Sequence, residues 1–91
     1  MKQYRKKPIV VEAIQYTGDN AQFIMGLLTS RIFEPIEIED REDDEHTAQV
    51  WDKTHNVWIP VKDNEWIMKG AEGEFYPCDP TVFNKTYEEV K

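Results

Sequence analysis

The chain has 91 residues, one domain's worth spanning 1–91, with a net charge of −7 from 18 acidic and 11 basic side chains. That excess of negative charge disfavours phosphate backbones and anionic membrane surfaces as partners, while 40% hydrophobic residues argue against a wholly disordered chain. The single cysteine cannot close an internal disulfide, which points to a reducing compartment.

Lys2, Arg5, Lys6 and Lys7 open the chain, and the apolar stretch after them is too short for a signal-peptide core. No later segment has the length of an apolar span, so a cytoplasmic location without membrane contact is expected. Pro8 to Tyr16 then reads as a strand. Ile9, Val10, Val11, Ile14 and Tyr16 make both of its alternating faces apolar, as in a strand covered on both sides.

Thr17-Gly18-Asp19 ends the strand, and Asp19 with Gln22 three residues later forms a capping-box-like start to a helix. Its apolar stripe is Phe23, Ile24, Leu27 and Leu28, and its end falls near Ser30. Pro35 introduces an alternating segment, Ile36-Glu37-Ile38-Glu39, which predicts a second strand. Asp40 to His46 reads as an exposed charged loop.

Three strands are expected next, over Thr47–Trp51, Val57–Val61 and Glu65–Lys69, joined by segments rich in turn formers. Pro60 removes a ladder donor, which assigns its strand to a sheet edge or a bulge. Gly70 to Gly73 reads as a hairpin loop leading into Glu74-Phe75-Tyr76. Asp79 followed by Pro80 predicts a short helix over about 80–85, and Tyr87 to Val90 a last strand. The fold class is therefore α+β, an antiparallel-rich sheet with one main helix, about 19–30, packed on it.

Three blocks carry a resemblance. They are Arg5-Lys6-Lys7-Pro8-Ile9-Val10-Val11-Glu12-Ala13, then Trp58 to Val61 with Glu65 to Gly70, then Gly73 to Cys78 with Pro80, Phe83, Thr86, Tyr87 and Glu88. In these the chain resembles a family of short proteins encoded by tailed bacteriophages and prophages. Members of that family carry a Pro-Gly-Asp turn before the aromatic strand, where this chain has Lys62-Asp63-Asn64-Glu65. The resemblance implies a phage accessory protein in a bacterial cytoplasm and offers no catalytic residue to carry over.

Six residues stand out as binding candidates: Glu12, Trp51, Trp58, Trp66, Tyr76 and Cys78. A carboxylate within an apolar strand, as at Glu12, suits either general acid–base work or a cross-strand ion pair. Cys78 before a helix start suits a low-pKa nucleophile, although Asp79 beside it opposes that and a buried inert thiol is commoner. The aromatic set, which includes Phe75, is the pattern of a base-stacking or partner-binding face, or of a sheet face packed on the helix through Phe23, Ile24 and Leu27.

His46, His55 and one cysteine do not match metal-ligand spacing, and no cofactor is expected. Too few basic residues lie among the aromatics to suit nucleic acid. The acidic run from Glu34 to Glu45, broken by Arg41, is a solvated segment or an imitation of nucleic acid that enters a basic cleft. The leading expectation is a non-enzymatic module that binds a host or phage protein, with a homodimer through the basic start and the acidic run as a further possibility. The alternatives are a small enzyme or ligand-binding protein with a pocket near Glu12 and Cys78, and a single-strand binder.

Overall fold

The computed structural model describes residues 1–5 and 9–90. Strand β1 (Glu12–Gln15) leads to helix α1 (Ala21–Leu28) and strand β2 (Phe33–Pro35). A 3-10 turn at Ile38–Asp40 precedes β3 (His46–Asp52), β4 (Val57–Lys62), β5 (Trp66–Lys69), β6 (Phe75–Cys78) and helix α2 (Pro80–Thr86). The class is α+β as expected. The strands divide into two antiparallel three-stranded sheets, ordered β1-β5-β6 and β2-β3-β4.

The two sheets meet in one core built of Tyr16, Ile24, Phe33, Ala48, Val50, Val61 and Ile67. Side chains alternate across a strand, so in β2-β3-β4 the inward row is Phe33, Val50 and Ile59 followed by Pro35, Ala48 and Val61. Strand β6 lies against β3 and β4, which brings the second sheet over the first. The register slips between His46 and Ala48. That bulge turns Thr47 toward the core side, where its Oγ1 lies 2.8 Å from the Tyr16 hydroxyl.

The other face of β1-β5-β6 carries Met68, fully buried though outside the main core. Helix α2 covers that side. Trp66 stacks on Phe83 with ring centroids 4.0 Å apart, and Phe83 meets Tyr87 at 5.2 Å. Asp79 caps the helix by accepting from the Thr81 and Val82 amides, with Pro80 in the first turn, as its sequence predicts. The central strand of this sheet is thus covered on both sides.

Several expectations are corrected. The first strand begins its ladder at Glu12, and Ile9 and Val10 are exposed and unpaired; Pro8, where the predicted strand starts, lies outside the described residues. Helix α1 starts at Ala21 with Asn20 in the cap position. Asn20 spends its side chain on the Thr17 amide and the Gln15 carbonyl, and no side-chain cap bond forms. Its packed face is Ala21, Ile24, Met25 and Leu28, while Phe23 and Leu27 are 63% and 59% exposed. The buried stripe follows i, i+3, i+4, i+7 and so runs about one residue off the expected one.

Ile36 to Glu39 is not a strand. Pairing with β3 stops at Pro35, apart from the Ile36 amide to the Thr47 carbonyl, and Arg41 Nε then donates to the Ile36 carbonyl at 2.9 Å. The chain is drawn into a tight turn there. Tyr87 to Val90 forms no strand either, because Tyr87 is held on Phe83 at the end of α2. Pro60 lies in β4, an edge strand, as its missing donor requires.

Candidate binding face

The outward row of the β2-β3-β4 sheet begins with Glu34, Gln49 and Pro60 in register and continues with Trp51 opposite Trp58. The two indoles meet edge to face, with centroids 5.5 Å apart and planes at 68°. Such a cross-strand aromatic pair stabilises the hairpin and leaves part of each ring toward solvent. Gln49 Nε2 donates to Glu34 Oε1 at 2.7 Å, which fixes the amide and the carboxylate together. Trp51, Trp58, Gln49 and Glu34 are half-buried and Pro60 is exposed.

Beside this row the turn after β2 raises a wall of carboxylates. A groove of ≈ 510 Å³ lies there, lined by Glu34, Gln49, Trp58 and Pro60 of the outward row and by Glu37, Asp40, Glu42 and Asp43 of the turn. Arg41 does not neutralise it by an ion pair with these groups; its Nε is committed to the Ile36 carbonyl. His46 sits at one end, its Nδ1 2.9 Å from Asp43 Oδ2. Hydrogen bonds from the His46 backbone and ring hold the Asp43 carboxyl below its usual range. Hydrogen bonding from the His55 ring does the same for Asp52 at the far turn. The acidic run, which reads in sequence as a strand and loop, is in space the rim of a groove floored by a tryptophan.

The six candidates from the sequence separate into distinct places. Trp51 and Trp58 come together on this face. Trp66 lies in the other sheet, where it anchors α2 through Phe83. Glu12 pairs with Lys69 across the strands, Nζ to Oε2 at 3.4 Å, and both side chains are largely solvated. Cys78 is opposite Trp66, at the other end of β5 and on the opposite face from Glu12. Glu12 and Cys78 therefore share no pocket.

Burial, followed by the Asp79 and Glu65 charges, pushes the Cys78 thiol above its ordinary range. A neutral thiol at physiological pH is a poor nucleophile. Tyr76, opposite Met68, is half-buried and likewise pushed up, chiefly by burial. Among the described residues no cluster of three or more His, Cys, Asp or Glu is arranged to hold a metal ion, and no helix is long and apolar enough to cross a membrane.

Sequence reasoning missed the role of Gln49 and Pro60 as groove wall. The signal lay in the turn length: the four-residue turn Lys53–Asn56 pairs Asp52 with Val57, and so sets Trp51 opposite Trp58 and Gln49 opposite Pro60, whereas a turn from Asp52 to Asn56 is one residue out of that register. No family model, curated protein or solved structure matches the chain.

Proposed function

We propose that this chain is a non-enzymatic accessory protein of the phage and prophage kind that binds another protein through the outer face of the β2-β3-β4 sheet. The observation that carries the reading is the groove itself, which sets five carboxylates against a half-buried tryptophan. A basic segment of a partner satisfies both walls. Its Lys or Arg heads meet the carboxylates, and a guanidinium or ammonium over Trp58 gains a cation–π contact. A nucleic-acid strand would gain stacking on the indoles but bring its phosphates against the acidic rim, so a protein partner is favoured over a single strand. The resemblance to phage proteins supplies the setting, a bacterial cytoplasm.

The test is capture from bacterial host lysate with immobilised protein, comparing wild type with Trp58→Ala and with the pair Glu37→Lys and Asp40→Lys. The expected result is a basic protein retained at low salt by wild type, released as salt rises, and lost from both variants. Retention of nothing above background, or equal retention by the variants, overturns the proposal.

A further inference from the structure

The two sheets have four edges, formed by β1 and β6 in one and by β2 and β4 in the other. Three of the edge strands contain a proline: Pro35 in β2, Pro60 in β4 and Pro77 in β6. Proline takes a donor out of a strand and is one of the devices that blunt an edge against pairing. Strand β1 has none, and Ala13 within it is exposed.

The direction of the β1 backbone follows from its known bonds. The Tyr16 amide donates to the Glu65 carbonyl and the Tyr16 carbonyl accepts from the Asn64 amide, so the even-numbered residues face β5. In an antiparallel strand the alternate residues face the other way, which points the amides and carbonyls of Gln15 and Ala13 outward; an extension of the strand toward the N-terminus would set Val11 and Ile9 outward in the same alternation. The Asn20 side chain takes the outward carbonyl of Gln15 at 2.9 Å, as this alternation requires. Among the described residues the edge is thus closed at Gln15 and open at Ala13, with Val11 and Ile9 in line to continue it.

The residues just before β1 are rich in β-branched side chains and have no strand partner among the described residues. Ile9 and Val10 are 62% and 80% exposed, beyond the last rung, Glu12 with Lys69. They cannot fold back on their own strand, because Val11 runs directly into Glu12 and a hairpin needs residues for its turn. Next to β1, on the face of Ile14, lies a groove of ≈ 400 Å³ whose apolar lining includes Ile14, Leu27, Leu28, Ile32, Ile67 and Phe75.

We propose that β1 pairs antiparallel with β1 of a second copy, the segment Ile9–Val11 of each chain supplying rungs to the other. The occupant is a copy of this chain because one segment carries both halves of the contact, an open edge and an unpaired β-branched overhang. A two-fold axis through Val11 sets Val11 opposite its counterpart and Ile9 opposite Ala13, all outward-facing residues able to exchange amide–carbonyl bonds. It also places Glu12 opposite Val10; a two-fold axis through Glu12 would put like charges face to face. Val10, in the row of Ile14 and Tyr16, then faces the apolar groove of the other copy. The result is one continuous sheet of order β6-β5-β1-β1-β5-β6. This surface is separate from the groove assigned to a partner protein.

The experiment is light scattering after size exclusion over a range of protein concentrations, at low and high salt, with amide hydrogen exchange on the same samples. Wild type is expected to move from the 10.8 kDa of one chain to twice that mass as concentration rises. It should keep that mass in high salt and protect the Val11 and Ala13 amides. Val11→Pro, which lies outside β1 and removes the central donor, is expected to stay at one chain's mass, with the Ile14 amide as protected as before. If Val11→Pro disturbs Ile14, the same mass measurement on Ile9→Lys decides. A wild type that is monomeric at every concentration overturns the proposal. So does a dimer that these substitutions leave intact, including one that salt dissolves, which the basic start and the acidic run would then hold.

Discussion

At Tyr16 a single phenol reaches from one sheet to the other. Thr47 Oγ1 donates to the Asp63 carboxylate, so the proton between Thr47 and Tyr16 comes from the phenol. Burial raises the Tyr16 pKa from its ordinary 10.0, and the nearby Asp63 carboxylate adds to the rise. A group that holds its proton more tightly when folded gives its full stabilisation below the unfolded value and loses it as pH rises through the folded one. Thermal melts from neutral pH to about pH 11 should therefore show falling stability above about pH 10. Tyr16→Phe should flatten part of that fall, the remainder coming from Tyr76 and Cys78, and should cost about 1 kcal/mol at neutral pH. The backbone offers a gain elsewhere. Thr29, after α1, has φ 71° and ψ 156°, a region suited to glycine. Thr29→Gly is expected to stabilise the fold by about 1 kcal/mol, measured by denaturant unfolding.

Helix α2 is short and depends on two contacts, the Asp79 cap and the Trp66–Phe83–Tyr87 stack. Asp79→Ala should cost about 1 kcal/mol in denaturant unfolding, and Phe83→Ala about 2–3 kcal/mol. The second change should also shift tryptophan emission to the red as Trp66 becomes hydrated. This helix was readable from the residues because its signals are local: an Asp cap, a proline at its start and an aromatic one turn on. The three strands from Thr47 to Lys69 were readable for the same reason, alternation interrupted by turn formers. Ile36 to Glu39 alternates just as well and is not a strand, because an alternating pattern does not provide a partner and Arg41 offers its backbone a different bond. The face of α1 is only half legible: Ile24 and Leu28 pack as their size suggests, but the small Ala21 and the flexible Met25 complete the face in place of the larger Phe23 and Leu27. The groove was least legible. Its aromatic floor and acidic rim come from segments far apart in the chain, and only the β3-β4 register joins them.

Across the whole molecule the two sheets are linked by the chain of polar groups Tyr16–Thr47–Asp63, and Gly18 sits against its end. Gly18 has φ 95°, and a Cβ there would come within 2.7 Å of the Asp63 carboxylate. Gly18→Ala should therefore cost about 1–2 kcal/mol through backbone strain and displacement of Asp63. It should cost less in a Thr47→Val background, because part of the loss is shared; a double-mutant cycle measures this. The distribution of prolines has a larger consequence. A fibre grows when each added molecule presents a fresh, pairable strand to the next. Here, among the described residues, the edge strands left to a molecule that has used β1 are those interrupted by Pro35, Pro60 and Pro77. Edge-wise growth thus terminates after a single addition, and the chain can keep one adhesive margin without seeding an open-ended polymer.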